Sequence, residues 1–178
     1  MLRGEKVGLR ARIEADVPVL EAELYQDVPT HERANGRPWR PLTPGTPASH
    51  FAIREPKDDT DRFSVVELAT GELAGAAVLW DIDLHNRSAH IGLGLRPAFR
   101  GKGFGTDVVR VLCRYGFNSR GLHRIQIETL TDNHAMLAAA QANGFQREGT
   151  LRGSGWVDGE FLDEAILGLL VDEWSAKA

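Results

Sequence analysis

A glycine-rich turn, preceded by an apolar segment and followed by an amphipathic one, is the part of this sequence best suited to bind an anion. The stretch 89–106 reads AHIGLGLRPAFRGKGFGT. Its glycines let the backbone turn and approach a ligand without a Cβ, and the first N–H groups of a following helix point at any anion there. Two basic side chains add positive charge. The spacing predicts a pyrophosphate-binding loop built on Gly101, Gly103, Gly105, Arg100 and Lys102.

Two common nucleotide-binding patterns do not fit this turn. The dinucleotide fingerprint needs an early strand, glycines in Gly-x-Gly-x-x-Gly order and an acidic residue about twenty residues later. Here the turn lies in mid-chain, its glycines alternate, and the next predicted strand is followed by Asp132 and Asn133. No Gly-Lys-Ser/Thr follows, as a Walker loop requires. A nucleotide-phosphate protein of another class is therefore the weakest functional alternative.

His90 is the candidate general base. Strand alternation places it on the same face as Gly92 and Gly94, whose missing side chains leave room beside it. An unperturbed histidine has a pKa of about 6.5 and can accept a proton at neutral pH. A half-buried histidine with a cross-strand hydrogen bond is the structural alternative. Asp81 and Asp83 are secondary candidates for a base or an ammonium anchor, although aspartates at such positions often cap turns.

Cysteine and histidine usage argues against a thiol nucleophile and a metal site. Cys113, the one cysteine, lies in an apolar helical stripe and is interpreted as a core residue. It cannot form an intramolecular disulfide. His123 and His134 are isolated, and no pair has metal-ligand spacing.

The elements that must position these residues alternate between strands and helices. Apolar periodicity predicts helices at 15–25, 105–117 and 134–142, with a stop signal at Asn143-Gly144. Residues 27–47 contain several prolines and are expected to be loop and short helix, and 171–178 a short helical or frayed end. The predicted strands are 7–12, 62–68, 72–80, 90–95, 124–130 and two that flank the Asp158-Gly159 turn.

Composition favours one soluble enzyme-sized domain. A chain of 178 residues predicts a single domain, 1–178, with one core. The net charge of −4, without a long basic run, argues against a nucleic-acid partner. The absence of a leader and of an apolar stretch near eighteen residues predicts a cytoplasmic protein without a membrane partner.

The RGKGFG loop, the NHAMLAAAQANGF segment and the closing GLLVDEW resemble the GNAT superfamily of acyl-CoA-dependent N-acyltransferases. The resemblance covers nearly the whole chain and is strongest to the RimJ/RimL-like branch, which includes ribosomal-protein alanine acetyltransferases. It implies an α+β fold, a twisted, mixed but mostly antiparallel sheet of about seven strands with helices on both faces. The fourth and fifth strands splay apart, and acyl-CoA enters the gap.

The resemblance also implies which residues bind acetyl-CoA, the co-substrate. Backbone amides of 100–106 would hold the pyrophosphate, and pantetheine would run along 93–95. The N–H of Gly94, or of Leu95 if a bulge shifts the register, would stabilise the oxyanion. The implied cofactor-binding residues are Leu93, Leu95, Arg100, Gly101, Lys102, Gly103, Gly105, Thr106 and Asn133, with His90 and Gly94 as catalytic residues and no metal.

Three positions depart from the family pattern. His90 replaces a frequent Glu, Met136 replaces a Ser that contacts CoA, and Ala140 replaces a Tyr that serves some relatives as general acid. A noncatalytic acyl-CoA-binding domain therefore stays an alternative, as does a mechanism in which water carries the proton.

The resemblance implies acetyl transfer to a primary amine, either a protein N-terminus or a small molecule. Succinyl is an alternative acyl group, and a homodimer is common in this branch. Arginines that face the acceptor would favour an acidic substrate. The residues that could line the acceptor pocket are His31, Arg33, Arg37, Trp39, Arg40, Trp156 and Phe161.

Overall fold

The strands form one eight-stranded sheet in the order β1-β2-β3-β4-β5-β6-β8-β7. The computed structural model describes residues 1–43 and 45–175. Every neighbouring pair is antiparallel except β5 and β6, which are parallel. The strands are β1 (Leu2–Arg3), β2 (Val7–Arg10), β3 (Thr60–Glu67), β4 (Leu73–Asp83), β5 (Ser88–Leu95), β6 (Arg124–Leu130), β7 (Gln146–Val157) and β8 (Glu160–Leu170).

Helices connect the strands and cover both faces of the sheet. Two of them, α1 and α3, continue directly into a π-helical turn, a feature that is frequent near functional sites. The helices are α1 (Asp16–Leu20, then the π-turn Glu21–Tyr25), α2 (Val28–Ala34), a 3₁₀ turn (Pro97–Phe99), α3 (Phe104–Arg114, then the π-turn Tyr115–Ser119), α4 (His134–Ala142) and α5 (Val171–Ser175).

The parallel strands β5 and β6 pair over three positions and then separate. Pairing runs from Ser88 opposite Arg124 to His90 opposite Gln126. The remainder of β5, from Ile91 onward, continues without pairing to β6, so a gap opens in the sheet. The sequence predicted no strand at β1, so β5 and β6 correspond to the fourth and fifth predicted strands. The splay expected between those two strands is confirmed.

Alternation along β5 directs its side chains toward helices on opposite faces of the sheet. A Cβ on Gly105, in α3, would lie 3.9 Å from Leu95 and 4.0 Å from Leu93. A Cβ on Gly94 would instead lie 3.5 Å from Leu24 in the π-turn after α1. The main core lies between the sheet and α3, where the fully buried side chains include Val108, Val109, Leu112, Ile125 and Ile127.

The predicted elements are present, with shifted boundaries. The helix α4 ends at Ala142, and Gly144 adopts a left-handed φ of 92°, as the stop signal predicted. The strand β4 extends past its predicted end to Asp83 through an irregularity after Trp80. The sequence analysis missed β1, because two residues carry no alternation to detect. The predicted terminal helix is found at 171–175, and residues 176–178 lie outside the described residues.

Candidate active site

The loop between β5 and α3 presents a row of free backbone amides. Within the described ranges, the N–H groups of residues 101–106 donate to no protein oxygen, and the helical bonding begins with Asp107 N–H to the Gly103 carbonyl. Gly101 and Gly103 have left-handed φ angles of 71° and 81°. A helix N-terminus of this kind carries partial positive charge and unsatisfied donors, which suits a pyrophosphate. Gly105 is an ordinary helical residue, and a Cβ there would make only ordinary contacts with Leu93 and Leu95, so the turn does not require glycine at this position.

Lys6 lies against this loop, although the sequence separates them by about a hundred residues. Its Nζ donates to the Lys102 carbonyl at 2.9 Å, and a Cβ on Gly103 would be 3.1 Å from that nitrogen. The buried Asp107 holds Lys6 in place by accepting its backbone N–H at 2.7 Å and that of Val7 at 3.0 Å. No local pattern marks Lys6, and the sequence analysis missed it.

Arg100 points away from the amide row. Its Nε donates to the Leu95 carbonyl at 2.9 Å, and Nη2 lies 3.8 Å from Asp27. Its charge is therefore partly compensated from α2, whereas the Lys102 ammonium lies 5.8 Å above the ring centre of Phe99.

The direction of the amides along β5 distinguishes Gly94 from Leu95. Arg96 N–H donates to the Ala74 carbonyl on β4, so Arg96 and Ala74 form a hydrogen-bonded pair. Gly94 lies two residues before Arg96 on β5, and its partner on β4 is Ala76. Antiparallel ladders alternate with period two, so the Gly94 N–H points at β4. The N–H groups of Leu93 and Leu95 point into the gap. Of the two alternatives for the oxyanion donor, Leu95 is the one that faces the gap.

His90 lies at the last paired position before the gap, between two carboxylates. Its Nδ1 is 3.7 Å from Glu128 Oε1, and its Nε2 is 3.9 Å from Asp81 Oδ2. The indole of Trp80 lies over the imidazole, with ring centres 4.5 Å apart. The histidine side chain is 20% exposed. Nδ1 is buried and has no hydrogen-bond partner among the described residues, so the imidazole must turn before this nitrogen can meet a substrate.

Glu128 was missed by the sequence analysis, which read it as a polar position on an alternating strand. Gln126 Nε2 donates to Glu128 Oε1 at 2.7 Å, and Gln126 in turn accepts from Arg124 at 2.9 Å. This row of side chains fixes Glu128 beside His90. Its proximity to His90 depends on the register in which β5 pairs with β6, which no short segment encodes.

The two aspartates after Trp80 have different surroundings. Asp81 has a φ of 52° and turns its exposed carboxylate toward His90. Asp83 accepts from the backbone and side-chain nitrogens of Asn86 at 2.9 and 2.6 Å, and these bonds lower the pKa of its carboxyl group. Asp83 is thus a turn cap, whereas Asp81 belongs to the His90 site.

Asn133 and its neighbours serve the structure of α4. Asn133 Oδ1 accepts from Met136 N–H at 3.2 Å as the helix N-cap, and its Nδ2 donates to Thr129 at 2.9 Å. The Thr106 carbonyl accepts from Asn143. Ala140 is fully buried and offers no proton. Burial raises the pKa of the Cys113 thiol, so this cysteine is a core residue.

The loop residues proposed to line an acceptor pocket do not form one group. His31 is buried against Tyr25, with ring centres 4.7 Å apart, and Arg33 pairs with Asp132 at 2.5 Å. Trp39 packs at the edge of the cluster around Tyr25, whose hydroxyl donates to the carbonyl of Arg40. Arg37 is exposed. Trp156 and Phe161 lie on the β7–β8 hairpin and contact each other, 61% and 68% exposed.

The described residues offer neither a cluster of metal ligands nor a helix that could span a membrane. In that part of the chain, no group of three or more His, Cys, Asp or Glu side chains is arranged to hold a metal ion. Among its helices, none has the length and apolarity needed to cross a membrane.

Comparison with known proteins agrees with this geometry. Residues 6–146 match the Acetyltransferase (GNAT) domain family. The chain is 33% identical over 115 residues to the uncharacterized N-acetyltransferase p20 of Bacillus licheniformis, and the match covers 65% of each protein. It is 34% identical over 110 residues to YdaF of Bacillus subtilis (strain 168), a candidate ribosomal N-acetyltransferase, covering 62% of this chain and 60% of YdaF. The chain thus spans less than two thirds of the length of these two relatives.

A solved structure extends the likeness of fold to almost the whole chain. Spermidine N-acetyltransferase from Vibrio cholerae, in complex with CoA and spermine, superposes with a TM-score of 0.78 at 20% identity, covering 96% of this chain and 98% of that one. The two chains share the splayed-sheet fold. With the family match over residues 6–146, this chain belongs to the GNAT acetyltransferase domain family.

Proposed function

We propose that this protein transfers the acetyl group of acetyl-CoA to a primary amine. The observation that carries the proposal is the row of unsatisfied amides at residues 101–106, placed at the end of a gap between two splayed strands. This row suits the pyrophosphate, and the gap suits an extended pantetheine arm.

Acetyl-CoA supplies an activated thioester, and the chain supplies binding, orientation and a proton acceptor. In the proposal the amides of 101–106 bind the pyrophosphate, and Lys6 and Lys102 add positive charge beside it. Leu93 and Leu95 offer their gap-facing N–H groups to the arm and the thioester oxygen, where Leu95 stabilises the charge that develops during attack. In the proposal Thr106, in the first turn of α3, and Asn133, at the N-cap of α4, also bind the co-substrate.

The attacking amine must be uncharged, so the protein needs a group that takes its proton. We assign this role to His90, which lies at the end of the β5–β6 pairing with its Nδ1 3.7 Å from Glu128 Oε1. Glu128 and Asp81 hold the imidazole from two sides and attract an incoming ammonium. Direct attack with water carrying the proton is the competing mechanism.

For the acceptor, the proposal covers a protein N-terminus or a small amine, in a RimJ/RimL-like protein. One relative is named for ribosomal N-acetylation and the Vibrio neighbour for spermidine, so both acceptor types occur among similar proteins. A longer acyl group such as succinyl and a homodimer are secondary parts of the proposal.

The experiment is an acetyl-transfer assay with the purified chain. Acetyl-CoA and succinyl-CoA are incubated with amine-terminated peptides and with spermidine, and both the acylated product and free CoA are quantified. Acetylated amine formed in step with CoA supports the proposal. Binding of acetyl-CoA without any acylated amine would overturn it in favour of a noncatalytic acyl-CoA-binding domain.

A further inference from the structure

Three arginines line a cleft that the proposed mechanism does not use. The cleft, about 290 Å³, is bounded by the loop 52–56 and by the beginning of β3. Arg12, Arg54 and Arg62 all line it.

The positive charge of this cleft is poorly compensated. Within residues 1–43 and 45–175, none of these three arginines has a carboxylate oxygen within 4.0 Å. Of the acidic residues that line the cleft, Asp61 binds Tyr115 at 3.0 Å and lies 3.5 Å from Arg120, on the opposite face of the sheet. Glu55 is exposed at the rim.

Arg12 is held rigidly, with one donor left over. Its two Nη atoms donate to the carbonyls of Phe51 at 3.2 Å and Phe63 at 3.5 Å, and its guanidinium lies 5.2 Å from the Phe51 ring centre. Its Nε is buried without a partner. Burial lowers the pKa of Arg12 to about 10, and the charges of Arg62 and Arg54 add to this against the attraction of Asp16. A bound anion would offset the mutual repulsion of the three guanidinium groups.

Strand register places this cleft on the same face as His90. Arg62 is opposite Val78, which is opposite Gly92, and side chains directly opposite one another project to one face. Gly92 and His90 share that face on β5. Two strand spacings separate Arg62 from Gly92, or about 10 Å.

We infer that the arginine cleft binds an anionic group of the acceptor, so that the preferred amine carries a carboxylate. The inference rests on the proposed acetyl transfer and narrows its acceptor. Three extended residues span about 10 Å, which is the Cα spacing between Arg62 and Gly92, so a tripeptide is a suitable first probe. Polyamines, which carry positive charge at that distance, are disfavoured acceptors.

The test compares two acceptors that differ in one charge. We would measure kcat/KM with tri-alanine as the free acid and as the C-terminal amide, with spermidine as the cationic comparison. The free acid is expected to exceed the amide by roughly tenfold or more. Arg62→Gln should bring the two values together, whereas Arg152→Gln, on the exposed strand β7, should preserve the difference.

The outcomes separate this inference from the proposed function. Acetylation of acid and amide with equal kcat/KM, or a preference for spermidine, would overturn the anionic acceptor while leaving acetyl transfer intact. Failure to acetylate any amine would overturn both. Because Arg62 is exposed, its variant should fold, and Arg54→Gln provides a second variant with the same expected loss of preference.

Discussion

His90 Nδ1 lies 3.7 Å from Glu128 Oε1, across the point at which β5 and β6 stop pairing. The two residues are thirty-eight positions apart in the sequence, and the pairing of His90 with Gln126 brings their side chains together, because Glu128 lies two residues further along the same face of β6. The base candidate is thus located at the closed end of the gap, where an amine can approach from the face opposite α3.

Replacing His90 by glutamine should lower kcat by about 100-fold, because the side chain keeps its size but cannot accept the amine proton. The affinity for CoA should stay unchanged, since His90 is remote from the amide row. Steady-state kinetics and calorimetry on the same preparation measure both quantities. His85→Gln, in the exposed turn before β5, is the control. Unchanged turnover of the His90 variant at high pH would favour the water-mediated mechanism.

Glu128→Gln should also lower kcat, and its effect should not add to that of His90→Gln. The carboxylate acts through the histidine, so its removal should hardly change kcat further once the imidazole is absent. A double-mutant cycle on kcat measures this coupling. Additive losses would mean that Glu128 acts independently of His90.

Gly103→Val should weaken acetyl-CoA binding strongly. The left-handed φ of 81° is unfavourable for a β-branched residue, and the new Cβ would lie 3.1 Å from Lys6 Nζ. Gly71→Val is a matched control, because Gly71 has a φ of 76° in the β3–β4 turn with open space around it. Both variants should lose stability, but the control should bind acetyl-CoA normally. Equal affinity in the two would remove the loop assignment.

Lys6→Gln should reduce CoA affinity and make the remaining binding less sensitive to salt, because one cation beside the amide row is lost. Lys57→Gln, in the exposed loop before β3, should change neither property. Titrations at two ionic strengths provide the measurement. An unaltered salt dependence in the Lys6 variant would show that its ammonium serves the loop structure alone.

Asp16→Asn should destabilise the protein near neutral pH by about 2 kcal/mol. Burial alone would raise the pKa of Asp16, but hydrogen bonds from Arg10, the Ile13 amide and Ser64 outweigh it and lower the pKa from 3.8 to about 2. The folded state therefore favours the ionised form, and this stability is present above the unfolded pKa and lost as pH falls toward 2.

Urea denaturation at several pH values tests this. The stability difference between wild type and Asp16→Asn should shrink as pH falls from 3.8 toward 2, while the exposed Asp58→Asn should show no such trend. A difference that is independent of pH would contradict the assignment.

The local part of this architecture was predictable from the sequence. The strand at 90–95, the glycine turn and the helix after it are signalled by neighbouring residues, and the Asn143-Gly144 stop has a purely local cause. The boundary errors have local causes too. The extension of β4 beyond Trp80 depends on the irregular backbone at Asp81, which has no sequence signature.

The parts that were not predictable depend on residues distant in the chain. Lys6 reaches the loop because Asp107, in the first turn of α3, binds the backbone of β2. Glu128 reaches His90 through the paired register of β5 and β6, and Arg12, Arg54 and Arg62 meet through the register of β3 and a loop. Leu95 could be preferred to Gly94 as the oxyanion donor only once the structure showed which amides of β5 bind to β4.

The central claim is that the loop 101–106 binds acetyl-CoA, and calorimetric titration with acetyl-CoA tests it most directly. Free CoA and 3′-phospho-AMP serve as comparison ligands, and Gly103→Val and Gly71→Val as the matched pair of variants. The account predicts saturable binding of acetyl-CoA to the wild type and to Gly71→Val, and a large loss of affinity in Gly103→Val. Absence of binding to the folded wild-type chain, or equal binding to both variants, would contradict it.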